Sequence, residues 1–147
     1  MLYILVKKFS ELSIEELYSL LQLRSDIFVV EQDCVYQDLD GKDSKALHIL
    51  GMMNGKVVAY TRIFKPGDYF KESSIGRVAV HKEHRKIGYG KEIMDASIKA
   101  VEEIFHKNKI KLSAQTYLTK FYNELGFKSI GEGYLEDGIP HIQMVKN

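Results

Sequence analysis

A short apolar run, a charged turn and a glycine-punctuated helix entry occupy Ile75 to Gly90, and no other stretch restricts the fold as strongly. Ile75-Gly76-Arg77-Val78-Ala79-Val80 reads as a strand, His81 to His84 as a turn, and Arg85-Lys86-Ile87-Gly88-Tyr89-Gly90 as the approach to a long amphipathic helix. The first NH groups of a helix have no intrahelical partners, and the summed peptide dipoles attract anions to that end. Gly88 and Gly90 remove the side chains that would hold a ligand away from those groups. The stretch predicts a loop that grips the pyrophosphate of a nucleotide-like cofactor.

Two commoner phosphate motifs do not fit. A Walker loop ends in Gly-Lys-Ser/Thr, whereas Gly90-Lys91 is followed by Glu92 and Arg85 stands where the first glycine belongs. A dinucleotide fingerprint needs a third glycine, where this chain has Ile93, and a parallel βαβ core. The surrounding elements do not offer one. Leu2 to Phe9 reads as a strand, Ser10 or Ser13 as a cap, and Ile14 onward as a helix of about four turns ending near Val29-Val30-Glu31, because apolar residues recur at three and four. Gln32 to Ala46 is irregular and acidic, and is expected to be a surface loop near a ligand.

Asn54-Gly55 between Leu47 to Met53 and Lys56 to Phe64 marks a tight hairpin, since both residues accept the positive φ that a two-residue turn requires. Ser74 to Val80 completes a three-strand meander. A helix follows to about His106, then a strand from Ile110 to Gln115 and a compact helix from Leu118 to Leu125, closed by Gly126. Phe127 to Tyr134 and Ile139 to Val145 form a last hairpin around Glu136-Asp137-Gly138. The expected class is α/β in the α+β sense: one domain over residues 1–147, in the order strand, helix, three-strand meander, helix, strand, helix, two strands.

Composition narrows the partners. With 147 residues the chain can bury a core without disulfides or metals. Lys and Arg total 21 against 20 Asp and Glu, a net charge of +1, so no nucleic-acid partner is expected and any anion site must be local. The one cysteine, Cys34, allows no internal disulfide and no cysteine-based zinc site; it is expected to be a small buried apolar residue, and no metal is expected. Met1 to Phe9 is interrupted by Lys7 and Lys8, no run reaches the ~20 apolar residues that span a bilayer, and a soluble cytoplasmic protein with no membrane partner is expected. There is no coiled-coil seam, and both monomer and homodimer are compatible with the exposed edges of the meander or the last hairpin.

Arg85-x-x-Gly88-x-Gly90, preceded by Val78-Ala79-Val80 and followed by Phe121-Tyr122-x-x-x-Gly126-Phe127, resembles the GCN5-related N-acetyltransferase (GNAT) family, and the element order matches over nearly the whole chain. The resemblance implies the acyl-CoA N-acyltransferase fold, a mixed, mostly antiparallel sheet flanked by helices, and acetyl-CoA as cofactor. It implies that backbone groups of Val78 and Val80 pair with the pantetheine arm and that NH groups from Arg85 to Gly90 hold the pyrophosphate. The cofactor side then comprises Val78, Ala79, Val80, Arg85, Lys86, Ile87, Gly88, Tyr89, Gly90 and Lys91, with Gln115, an amide in the place where the family often has Asn, and Tyr122.

The resemblance also assigns chemistry. Tyr122 is the candidate acid for the departing thiolate, and the Val80 backbone NH the candidate oxyanion donor. Glu31, His81, Asp137 and His141 are candidate bases, with a water chain as the alternative. Leu21-x-Leu23-Arg24, Ile27 to Gln32, Asp40-Gly41-x-Asp43, Ala59-Tyr60-x-Arg62 and Glu136 to His141 are similar to the ElaA-like branch of that family. Arg24, Glu31, Asp40, Asp43, Arg62 and Asp137 are therefore placed on the acceptor side, where an acidic wall of Glu31, Asp38, Asp40 and Asp43 suits the primary amine of a small molecule or peptide. The competing reading is that Arg24 and Arg62 pair with those acids to hold the loop.

Two rival functions remain at this point. One is a non-catalytic acyl-CoA sensor or interaction domain. The other is an enzyme like the acyl-homoserine-lactone synthases, whose N-terminal pattern Arg24, Phe28, Asp40, Asp43 and Arg62 resembles, although those enzymes carry tryptophan there and this chain has none.

Overall fold

Hairpin turns show how local chemistry sets the strand register. Asn54 and Gly55 adopt φ of 51° and 77°, the double positive φ of a type I′ turn, and the ladder closes directly below them at Met53 and Lys56. Asp137 and Gly138 repeat this conformation, at 52° and 77°, beneath the pair Glu136 and Ile139. The computed structural model describes all residues, Met1–Asn147. Its strands are β1 Tyr3–Lys8, β2 Leu47–Met53, β3 Lys56–Phe64, β4 Ser73–Val80, β5 Ile110–Gln115, β6 Lys128–Glu136 and β7 Ile139–Lys146. The helices are α1 Ile14–Arg24, α2 Tyr89–Ile104 and α3 Thr119–Glu124.

One seven-stranded sheet in the order β1-β2-β3-β4-β5-β7-β6 runs through the chain, antiparallel throughout except for the β4–β5 contact. α1 begins at a capping box in which Ser13 and Glu16 exchange backbone and side-chain hydrogen bonds. Leu20 and Leu23 of α1 pack on Leu50, Tyr60 and Ala79. α2 covers the opposite face, where Ile93, Met94 and Val101 bury completely against Ile49, Ala59 and Ile63. Each such side chain stabilises the fold by roughly 1.5–3 kcal/mol. No helix is long and apolar enough to cross a membrane.

The first helix differs from the sequence expectation in kind. After Arg24 the chain continues as a π-helical segment, Ser25–Glu31, in which NH groups reach carbonyls five residues back: Gln32 to Ile27 and, just beyond, Cys34 to Val29. Spacing at three and four cannot distinguish the two windings, because one turn of either keeps the same residues apolar. The wider winding rotates Phe28, Glu31 and Gln32 relative to α1.

What holds the acidic loop is a group of three arginines and three aspartates. Arg24, with no exposed surface, donates from Nε to Asp38 Oδ2 at 3.0 Å and from Nη1 to Asp43 Oδ1 at 2.8 Å. Arg62 donates from Nη2 to Asp40 Oδ2 at 2.6 Å and from Nη1 to the Asp43 oxygen at 3.0 Å. Arg77 Nε lies 2.8 Å from Asp38 Oδ1, with its guanidinium 5.6 Å from the Tyr36 ring centre. Three positive charges meet three negative ones, which lets the cluster be buried. His48 extends the network: its Nε2–H donates to the Asp43 carbonyl at 2.9 Å, its Nδ1 accepts from the Tyr60 hydroxyl at 2.6 Å, and burial lowers its pKa so that the ring stays neutral.

Removing one partner should therefore be costly. Arg24→Ala leaves Asp38 and Asp43 short of a counter-charge, and a loss of about 3–5 kcal/mol is expected in urea denaturation; a loss below about 1 kcal/mol would show that the cluster carries no stability. Burial pushes the Asp40 and Asp43 carboxyls up, but hydrogen bonds and charges from Arg62 and Arg24 outweigh it and hold both below the usual carboxylate range. Their stabilisation is complete above the unfolded-state value of about 3.9 and is lost as pH falls below it. Acid titration followed by circular dichroism should show flat stability near neutrality and decline below about pH 4.

Candidate active site

β4 and β5 pair at only two positions, Ser73 with Ile110 and Ser74 with Lys111, and then part. The opening between them leads into a cavity of about 710 Å³, walled by Ile75 to Val80 of β4 and by Leu112, Ser113 and Gln115 of β5. A register shift in the β3–β4 ladder assists the separation: from Ala79 to Gly76, β4 uses one residue more than β3 does from Tyr60 to Arg62. Arg77 stands in that bulge with φ of 50°.

Alternation of the antiparallel ladder fixes where Val80 points. His81 N–H donates to the Val58 carbonyl at 2.7 Å, and Val80 lies opposite Ala59, so the backbone groups of Val80 face away from β3 and toward the opening. The Val80 carbonyl already accepts from Arg85 Nε at 3.0 Å. The Val80 N–H faces the opening on the same side.

The glycine loop follows directly. Lys86 and Gly88 take φ of 66° and 89°, and Gly88 caps α2. A Cβ on Gly88 would meet no protein atom within 4 Å, so the space above that helix start is open; one on Gly90 would lie 3.4 Å from Phe121 Cζ. Arg85, Lys86, Gly88, Gly90 and Lys91 line the cavity together with Val78, Ala79 and Val80. Ile87 and Tyr89 do not: Ile87 is turned to solvent, and Tyr89 is buried with its ring stacked on His84.

At the other end, Tyr122 is 5% exposed, faces the cavity from α3, and has no protein partner for its hydroxyl. Burial raises its pKa well above the usual phenol range. Gln115 also lines the cavity, but its side-chain oxygen accepts from Gln32 Nε2 at 3.2 Å.

The acceptor-side expectations divide. Glu31, Asp137 and His141 reach the cavity. Arg24, Asp40, Asp43 and Arg62 do not; they are held in the buried cluster, so no acidic wall of Asp38, Asp40 and Asp43 faces a ligand. Glu31 is gripped by Arg85 through two hydrogen bonds, at 2.5 and 2.7 Å, which lower its pKa and make it a poor base. His81 accepts from the Glu83 N–H at 3.2 Å and caps a short turn instead of entering the cavity. Cys34 is not a core residue: it lines the cavity half-buried, and its thiol donates to the Asp137 carbonyl at 3.3 Å. The sequence reading missed Arg77, Tyr36, Ser113 and Glu136 on the cavity wall. Only a match between the arginines and the loop aspartates could have pointed to Arg77. No group of three His, Cys, Asp or Glu is arranged to hold a metal ion.

Comparison with known proteins agrees with this geometry. Residues 15–147 match the acetyltransferase (GNAT) domain model. The chain belongs to the GNAT acetyltransferase family. It is 44% identical to protein ElaA of Escherichia coli K12 over 139 residues, covering 93% of this chain and 91% of that one. The crystal structure of E. coli ElaA superposes with a TM-score of 0.93 over the full length of both chains. An acyl-CoA N-acyltransferase from Pseudomonas aeruginosa is 38% identical with the same TM-score, covering 99% of this chain and 100% of that one. A GNAT acetyltransferase from Elizabethkingia anophelis with acetyl-CoA bound, 15% identical, shares the fold at a TM-score of 0.64 over 97% of each chain. The family is thus the GNAT family, in its ElaA-like branch.

The Arg85–Glu31 contact joins the glycine loop to the π-helical segment, with both side chains about one-third exposed. Exposed pairs contribute about 0–1 kcal/mol. Glu31→Ala should therefore change stability in urea by less than about 1 kcal/mol; a loss above about 3 kcal/mol would mean that the contact is structural and not a surface tie.

Proposed function

We propose that residues 1–147 act as a single N-acetyltransferase domain that moves the acetyl group of acetyl-CoA to a primary amine of a small molecule or peptide by direct attack. The observation that carries this reading is the parting of β4 from β5 into one cavity that runs from the Gly88 helix start to Tyr122. The ordered backbone at one end suits a pyrophosphate, the unpaired strand edge suits the amide-bearing pantetheine arm as an added strand, and the phenol at the far end suits the thioester sulfur. Acetyl-CoA bound to a protein of the same fold supports the choice of cofactor.

Bound acetyl-CoA supplies the activated carbonyl, and the chain supplies the rest. The Val80 N–H can donate to the thioester oxygen as charge builds on it, a fixed dipole that needs no rearrangement; loss of such a donor elsewhere costs about 2.7–4 kcal/mol of barrier. The raised pKa of Tyr122 keeps the phenol protonated through binding. It also makes a free phenolate costly, so transfer of its proton to sulfur must coincide with return of a proton from the new amide nitrogen. Reading the chain as similar to the acyl-homoserine-lactone synthases draws no support from Arg24, Asp40, Asp43 and Arg62, whose partners are one another. Work in the cytoplasm fits a chain with no membrane-spanning helix.

Calorimetric titration with acetyl-CoA, followed by thiol release over a panel of alkylamines, diamines, aminosugars and peptides, tests the proposal. Binding with amine-dependent thiol release is expected. Binding with no release from any amine would favour a sensor, and absence of binding would overturn the cofactor assignment. Tyr122→Phe should lower kcat by about 10²-fold or more, a general-acid effect, with acetyl-CoA affinity within about twofold of the parent. Gly88→Glu should abolish acetyl-CoA binding, because it adds a negative charge and a side chain at a left-handed helix cap.

A further inference from the structure

His141 stands in the middle of a polar row that three strands place on one face. Directly opposed residues of antiparallel strands put their side chains on the same side, and His141 lies opposite Gln115 of β5 and Tyr134 of β6. The two-residue repeat adds Ser113 and Glu136 to that face. Ser113, Gln115, Glu136 and His141 all line the cavity. The Tyr134 ring stacks on the imidazole with planes 23° apart, and His141 is 6% exposed, so the ring is held in place.

Its contacts decide which nitrogen is free. Nδ1 lies 2.7 Å from the Ile139 carbonyl oxygen. A carbonyl only accepts, so the proton of the neutral ring is on Nδ1 and the lone pair is on Nε2. Nε2 in turn lies 3.4 Å from Glu136 Oε2. A lone pair facing a carboxylate is unfavourable until a proton arrives between them, after which the two form an ion pair. Ser113 Oγ reaches the other Glu136 oxygen at 3.5 Å and also shares a hydrogen bond with the Tyr134 hydroxyl, which steadies the carboxylate.

We propose that His141 Nε2 takes the proton of the acceptor ammonium, and that Glu136 is the positioning residue that stabilises the resulting imidazolium. The inference rests on the acetyl-transfer reading. An N–H bond of the ammonium breaks, its electron pair stays on nitrogen, and the proton bonds to Nε2. The freed amine forms the C–N bond to the thioester carbon; the C–S bond then breaks with its electron pair on sulfur, which takes the Tyr122 phenolic proton. The surplus proton on the new amide nitrogen restores Tyr122. The imidazolium proton leaves to solvent past Glu136, whose side chain is 47% exposed. Ammonium and thioester thus give amide, thiol and one proton.

Few other groups compete for that proton. β6 presents Glu136 and Tyr134 to the ring, and β5 presents the neutral Ser113 and Gln115; Lys111, further along that face, lies with its Nζ 5.2 Å from the Phe70 ring centre, and Tyr117 lines the cavity just beyond Gln115. Across the cavity, Glu31 is occupied by Arg85, and Cys34 and Asp137 share the wall near the β6–β7 turn.

Two measurements on the full chain test this. Nitrogen-15 NMR of the His141 ring in the free protein should show the proton of the neutral form on Nδ1. A neutral ring protonated on Nε2 overturns the proposal whether or not the protein is active. The profile of kcat/KM against pH, taken with the amine from the panel that turns over fastest, should fall on the acid side. That limb should move to lower pH in Glu136→Gln. His141→Gln should lose it, with kcat about 10²–10⁴-fold lower and acetyl-CoA affinity unchanged. A His141→Gln variant that keeps both turnover and the acid limb overturns the proposal, and Glu136→Gln, which removes one charge near the surface, still decides it if His141→Gln folds poorly. Wild-type protein that binds acetyl-CoA but acetylates no amine would instead defeat the acetyl-transfer reading, and the base role with it.

Discussion

Parallel pairing between β4 and β5 stops after Ser74 and Lys111, and what the site can do depends on where it stops. Had the ladder continued, β4 from Ile75 onward would be bonded to β5 and the cavity would be closed sheet. Two local features favour the parting. The bulge at Arg77 adds a residue to β4 and turns its course. On the other side, β5 is fully paired with β7 from Ile110 to Gln115, so that strand keeps its line while β4 departs from it.

The bulge is itself held by charge. Arg77 contacts Asp38 and reaches Asp40, and these aspartates are shared with Arg24 and Arg62, so the first helix, the acidic loop, β3 and β4 meet in one neutral cluster. Buried ion pairs add little net stability compared with apolar packing, but breaking one strands a charge, and this makes the arrangement specific. Its effect here is to fix the loop from Tyr36 to Asp43 beside the cavity while leaving the cavity carboxylates Glu31, Glu136 and Asp137 outside the cluster. Carboxylates already neutralised by guanidinium have little capacity to accept or steer a proton.

Much of the fold was legible in the sequence because local signals agreed with one another. Asn54-Gly55 and Asp137-Gly138 named both tight hairpins through their positive φ. Gly88 and Gly126 marked the start of α2 and the end of α3. The family was legible too, since the glycine loop, the strand before it and the Phe121-Tyr122 pair after it together resemble the GNAT pattern that the family model matches. Less legible was the acceptor side. The acidity of Gln32 to Ala46 suggested a wall for a cation, but acidity does not say which partner each carboxylate has, and Asp38, Asp40 and Asp43 are taken by arginines far from them in sequence. Cys34 was misplaced for a related reason: a small apolar residue in an irregular stretch carries no signal of which face it will take.

The sequence by itself determined the order of elements, the turns and the glycine-punctuated start of α2, because each is governed by backbone conformation over a few residues. Tertiary structure alone decided the winding of Ser25–Glu31, the point where β4 leaves β5, the engagement of Glu31 by Arg85 and the contacts of the His141 ring, Nδ1 with the Ile139 carbonyl and Nε2 with Glu136. Those features depend on contacts between distant segments. Hydrogen bonds and ion pairs are short-ranged and directional, so composition can state which charges exist but only the packed chain states which of them remain free to react.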